Sequence, residues 1–237
     1  MIDGIILAAG KGTRMKEIVP KVLITIDNKS MIENTVFVLK QVCDDVIVVV
    51  GENYQKIHEK LKDDVLYSHQ TRPMGTLNAL ITTIPLLNDQ NISIIVPADI
   101  PYLDKDTIEA VVNDYDKTKN CVLVVGMEVE NPTGYGRLKI KNNKLLKIIE
   151  EKEALEEEKK INIVNSGIYI IPNKLIKKYH HYIKPSVITN EYYLTDLINY
   201  MIGKEVVIVK VCPNSINLEG VNDIKSLERL KRQRQNY

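Results

Sequence analysis

Paired cysteines, metal-ligand spacings, long apolar runs, low-complexity linkers, internal repeats and a strong net charge are all missing from this 237-residue chain. Its three cysteines, Cys43, Cys121 and Cys212, stand far apart, with no CxxC and no His-rich spacing. Neither a disulfide framework nor a zinc site is implied. Cys121 opens a strand-like apolar run and is expected as a core thiol. The four histidines fall at bland places: His58 on a helix surface, His69 at a strand end, His180-His181 near a helix end. A formal net charge of +1 gives no electrostatic case for nucleic acid or an anionic membrane. The basic tail around Lys231-Arg232 and the acidic run from Glu150 to Glu158 read as solvated segments. No stretch approaches the roughly 20 apolar residues of a spanning helix, and no basic region precedes the short N-terminal apolar run. A cytoplasmic chain follows as the default, with no nucleic-acid or membrane partner.

What is present is 44% apolar residues, enough for one large domain with a real core or two small ones. Strand-like runs at Gly4–Leu7, Val46–Val50, Val65–Tyr67, Ile92–Val96 and Val122–Val125 alternate with helical patterns at Met31–Gln41, Tyr54–Leu61, Thr76–Leu86 and Asp104–Asp116. Such alternation predicts βαβ units and a mostly parallel sheet with helices on both faces. Near-continuous apolar strands such as Val46–Val50 fit burial on both sides. The rhythm changes after Gly126. Arg137–Ile140 and Leu145–Ile149 flank Asn142-Asn143-Lys144, a hairpin signal. A strand at Ile163–Ile171, helices at Lys174–His181 and Tyr193–Ile202, a strand at Val206–Val211 and a helix at Ile224–Arg234 complete the chain. The expectation is one α/β domain, 1–237, with halves 1–126 and 127–237 built on the same sheet.

The first strand runs into Leu7-Ala8-Ala9-Gly10-Lys11-Gly12-Thr13-Arg14-Met15, with Pro20-Lys21 beyond. Two glycines allow a tight turn whose backbone N–H groups close around phosphate oxygens. Arg14 adds a flat fork of donors and Lys21 a mobile point charge. A dinucleotide fingerprint would need a third Gly where Met15 stands. A P-loop would need four residues between its glycines and then Lys-Ser/Thr. Gly4 and Gly10 enclose five, and Lys11 precedes Gly12.

Gln70 precedes Gly75-Thr76 by a loop containing Pro73. Its amide can accept from uracil N3–H and donate to O4; a polar loop leading into a capped helix is the other reading. Pro97-Ala98-Asp99-Ile100-Pro101 ends a strand, where α/β sites lie. A carboxylate held there suits a hard cation. The alternative is a helix-start turn, with Asp104 as the cap.

Five further segments follow in order: Asn131 to Arg137 (with Gly134-Tyr135-Gly136), Ile149-Glu150-Glu151-Lys152, Val164-Asn165-Ser166-Gly167-Ile168-Tyr169, Asn190-Glu191-Tyr192-Tyr193-Leu194-Thr195-Asp196, and Glu219-Gly220-Val221-Asn222-Asp223. With the Gly10 loop they resemble the sugar-1-phosphate nucleotidyltransferases, most closely the N-terminal uridylyltransferase domains of the bifunctional GlmU family. The resemblance covers the whole chain. It implies a Rossmann-like, mostly parallel mixed sheet, with 1–126 as nucleotide half and 127–237 as sugar half. It also implies nucleotide contacts at Leu7, Ala8, Ala9, Gly10, Gly12, Gln70, Gly75 and Thr76. Gly136, Glu150 and Asn165 would contact the sugar, Arg14 and Lys21 would be catalytic, and Asp99 and Asn222 would hold Mg²⁺. The implied reaction transfers UMP from UTP to N-acetylglucosamine 1-phosphate. Another sugar 1-phosphate, thymidylyl transfer and a non-catalytic domain on this fold are the alternatives. Three departures stand out: Ala98 for a family Gly, Asn190 for another, and Asn78 where His is frequent. No hexapeptide-repeat acetyltransferase segment follows, so a stand-alone enzyme and an excised domain are both open.

Overall fold

The structure is a computed structural model that describes residues 1–10, 20–115, 120–142, 144–212, 216–221 and 223–235. Strand β1 (Ile2–Leu7) is followed by a small hairpin, β2 (Thr25–Ile26) and β3 (Lys29–Ser30), and by α1 (Met31–Leu39). Then come β4 (Asp45–Val50), α2 (Tyr54–Leu61), β5 (Leu66–His69), α3 (Thr76–Ile81), β6 (Ile92–Pro97), α4 (Lys105–Asp114) and β7 (Val122–Glu128). The second half adds β8 (Arg137–Lys141), β9 (Lys144–Ile149), β10 (Ile163–Pro172), α5 (Asn173–Tyr179), α6 (Leu194–Met201), β11 (Val207–Cys212) and α7 (Ile224–Gln235).

One sheet runs through both halves in the order β11-β7-β10-β6-β1-β4-β5, with the β8–β9 hairpin attached to β10. Strands β1, β4, β5 and β6 pair in parallel, as do β7 and β11. Side chains alternate across a strand. Ile6, Val48 and Ile94 therefore enter the core under α1, α2 and α4. Ile5, Ile47 and Ile95 enter the other, under α3, α5 and α6. Helix α1 starts on a capping box, with Glu33 N–H 3.4 Å from Ser30 Oγ and Ser30 N–H 2.9 Å from Glu33 Oε2. Asp104 caps α4 through the Thr107 N–H at 2.8 Å. Among the described residues no helix is long and apolar enough to cross a membrane.

Strand β10 runs antiparallel to both β6 and β7. Its amino end consequently lies beside the carboxyl ends of the parallel strands. This reversal brings the second half to the edge where α/β ligands bind. Gly167, at φ +81°, allows the approach, since a Cβ there would stand 2.7 Å from Pro97 Cγ.

Some elements differ from expectation. The Thr76–Leu86 helix stops at Ile81, before a short 3₁₀ turn at Ile84–Leu86. The Thr82 and Thr83 hydroxyls donate back to Ala79 O and Leu80 O at 2.7 Å, and Pro85 offers no N–H. Strand β5 starts one residue after Val65 and runs on to His69, where it meets Val50 of β4. The helix expected to reach His181 ends at Tyr179, followed by a 3₁₀ turn.

At the opposite end of the sheet, Asp3 is buried between two amides. Asn91 Nδ2 donates to Oδ1 at 2.9 Å and Asn173 Nδ2 to Oδ2 at 2.6 Å. Ser93 Oγ then donates to Asn173 Oδ1 at 2.6 Å. This network joins the first strand to α5 far from the cavity. Asp3→Ala strands two buried donors and is expected to cost about 2–4 kcal/mol, read from a denaturant midpoint. Substrate affinities should not change. A loss below about 0.5 kcal/mol would show that water replaces the carboxyl group freely.

Candidate active site

A cavity of about 610 Å³ opens at the carboxyl ends of β1 and β6. Leu7, Ala8, Ala9, Gly10, Lys21, Gln70, Gly75, Thr76, Asp99, Glu150 and Asn165, all singled out from sequence, line it together. Gly136 is set just behind: its carbonyl accepts from Asn165 N–H at 2.8 Å. Gly12, Arg14 and Asn222 lie outside the described residues.

Gln70 is buried in the cavity wall. Its Nε2 donates to Gly75 O at 3.0 Å and to Asn78 Oδ1 at 2.9 Å. A primary amide has two N–H donors, and both are spent. From sequence Gln70 offers a base both an acceptor and a donor; among the described residues the contacts of its Nε2 leave Oε1, an acceptor. Asn78, at a place of frequent family His, acts here as Gln70's partner. Gly75 sits at φ +102°, and a Cβ there would meet Tyr192 O at 2.5 Å. Its lack of a side chain admits the Tyr192 backbone. Next to it, Leu77 N–H donates to Tyr192 O and Thr76 Oγ1 accepts from Leu194 N–H, both at 2.9 Å. The two halves are sewn together here.

Lys21 Nζ forms an ion pair with Asp99 Oδ2 and donates to Val221 O at 2.9 Å. Val221 N–H donates to Asp99 O at 2.9 Å. Three distant segments thus meet at one strand end. An ammonium has three donors, and these contacts use two. Ala98 has ordinary backbone dihedrals and is buried, so its methyl group is accommodated where the family has Gly. Asn190 stands at φ +56°, a left-handed conformation that Asn tolerates and Gly prefers.

At the far end, Thr195 Oγ1 donates to Glu150 Oε1 at 2.6 Å. Asn165 Nδ2 donates to Tyr169 OH at 2.5 Å, and Asn165 Oδ1 accepts from Gly167 N–H at 3.2 Å. Burial pushes the Tyr169 phenol up, keeping it protonated. Burial also raises the Glu150 carboxyl, as do Asp196, Glu153 and Glu191, against the lowering effect of the Thr195 hydrogen bond. Thr195, Tyr169 and Glu191 were not singled out, although all three line the cavity. They belong to the quoted Asn190–Asp196 and Val164–Tyr169 segments, which lead into α6 and run along β10, and membership of those segments is the signal that identifies them.

Among the described residues no three His, Cys, Asp or Glu side chains gather to cage a metal. Mg²⁺ usually takes one or two carboxylates and completes its shell with water and substrate phosphates. Asp99, partly exposed at a strand end, fits that demand.

Because the fold raises the Glu150 pKa, it favours the neutral carboxyl. The group's contribution to stability is intact below its ordinary value of 4.5 and is lost as pH rises through the raised value. Glu150→Gln keeps the shape and the acceptor for Thr195. It is expected to melt with wild type near pH 4 and above it as pH rises toward about 7. A pH-independent difference would contradict the burial of that charge.

Residues 3–219 match the nucleotidyl transferase family. The chain is 35% identical over 233 residues to the bifunctional protein GlmU of Ruthia magnifica, covering 98% of this chain and 51% of that protein. It is 37% identical over 233 residues to GlmU of Carboxydothermus hydrogenoformans, covering 97% and 52%. It spans about half the length of these relatives. A probable UDP-N-acetylglucosamine pyrophosphorylase of Acanthamoeba polyphaga mimivirus is 37% identical over 204 residues, covering 81% of this chain and 79% of the other. A crystal structure of a putative glucose-1-phosphate thymidylyltransferase from Bacillus anthracis superposes with a TM-score of 0.78 at 22% identity, covering 100% and 96%. It shares the fold. With its strand-end cavity and the match across nearly all its length, the chain belongs to the nucleotidyl transferase family.

Proposed function

We propose that the chain transfers UMP from UTP to N-acetylglucosamine 1-phosphate, releasing pyrophosphate. The observation that carries this reading is one cavity lined from both halves, with an amide acceptor at one end and a partly buried carboxyl at the other. Gln70 Oε1 accepts from the uracil N3–H. Cytosine presents a lone pair at that position, so two acceptors would face each other unpaired. Glu150 and Asn165 take the sugar. The mimivirus relative's name and the two GlmU relatives point to the same product class.

The sugar-phosphate oxygen is already anionic, so the transfer needs no general base. That oxygen bonds to the α-phosphorus, and the bond to the β-phosphate oxygen breaks with its electron pair leaving on pyrophosphate. The barrier is repulsion and alignment between two polyanions, which positioning and charge stabilisation lower. The third N–H of the Lys21 ammonium serves a phosphate oxygen at the junction. Arg14 is assigned to the departing pyrophosphate. Mg²⁺, when bound, would be held by Asp99 and Asn222 and would supply charge neutralisation between the phosphates.

Thymidylyl transfer is the second reading, because thymine shows Gln70 the same N3–H that uracil does. Pyrophosphate release over a matrix of nucleoside triphosphates and sugar 1-phosphates separates the two. UTP with N-acetylglucosamine 1-phosphate is expected to give the highest kcat/KM, with CTP at least about a hundredfold lower. Equal turnover with CTP, or a preference for dTTP and glucose 1-phosphate, would overturn the assignment.

A further inference from the structure

The segment Glu219–Val221 is held at every residue. Arg229 of α7 forms an ion pair with Glu219, whose side chain is 12% exposed. Tyr135 OH donates to Gly220 O at 3.2 Å. Gly220 has little spare room, since a Cβ there would lie 3.3 Å from Asp99 Oδ1. Val221 bonds Asp99 and Lys21 through its backbone, and its buried side chain packs with Leu227 and Leu230 of α7. Helix α7 contributes no lining to the cavity. It nonetheless grips, by packing and by charge, the backbone that holds Lys21 and Asp99.

We propose that Arg229 is a positioning residue for the transfer. Through Glu219 it fixes the Val221 carbonyl, and so the place of the Lys21 ammonium beside Asp99. The kinetic part of this inference rests on the uridylyl-transfer reading; the mechanical part does not. Misplacement of a catalytic group by a fraction of an ångström lowers turnover without weakening distant contacts. Gln70 and Gly75, which meet the base, are bonded to other segments and should be untouched.

Two measurements on Arg229→Gln, Arg229→Lys and Glu219→Gln test this. The first is amide hydrogen exchange in the substrate-free protein. The Val221 amide is expected to exchange roughly tenfold faster in Arg229→Gln and Glu219→Gln, with Leu230 in α7 unchanged and with rescue in Arg229→Lys. An unchanged Val221 rate, or an equal rise along α7, overturns the brace. The second is steady-state kinetics with UTP and N-acetylglucosamine 1-phosphate. A fall of roughly tenfold in kcat with the KM for UTP unchanged is expected for the two Gln variants. Activity that merely follows the folded fraction overturns the positioning role. A wild-type protein inactive with this pair would instead refute the proposed substrates, and the exchange experiment would still decide the brace.

Discussion

The Lys21–Asp99 ion pair is the constraint on which the cavity depends. Its partners are 78 residues apart, and the Val221 carbonyl that shares the ammonium is 200 residues from Lys21. Such contacts are entropically expensive to form and hold only because the sheet has already placed the three strand ends together. Both side chains are about one-fifth exposed, so the pair is neither a loose surface bridge nor a fully desolvated one. In the proposed reaction that intermediate setting suits groups that would exchange one partner for another as phosphates enter.

Around this pair, close backbone approach makes one cavity of two halves. Gly167 lets β10 pass against Pro97, and Gly75 lets Tyr192 pass against the start of α3. Neither glycine is there chiefly to make room for a ligand. Each permits a contact between segments far apart in sequence, and the cavity walls follow from those contacts. The buried Asp3 network fastens the sheet's other end, so the two ends of the sheet are held by separate carboxyl contacts.

Local physics made much of this legible from sequence. Apolar β-branched runs marked the strands, Asp104 announced the start of α4, a strand-end position drew attention to Asp99, and the family resemblance drew attention to Glu150 and Asn165. Pair relations were not legible in the same way. Nothing in the sequence around Gln70 says that its donors are spent on Gly75 and Asn78, because that depends on how the loop folds back. Thr195 is 45 residues from Glu150, and only the packing of α6 against β9 sets its hydroxyl on that carboxyl. Helix lengths failed where Thr82, Thr83 and Pro85 divert backbone bonding, a competition that apolar periodicity does not register.

The central claim is that one cavity reads a uracil at Gln70 and a sugar at Glu150. Equilibrium binding of UMP and of UDP-N-acetylglucosamine to Gln70→Ala and Glu150→Ala tests it most directly. Gln70→Ala should weaken both ligands. Glu150→Ala should weaken UDP-N-acetylglucosamine by roughly tenfold and leave UMP unchanged, as loss of a hydrogen-bond partner implies. Undiminished affinity of Glu150→Ala for the nucleotide sugar would contradict the account.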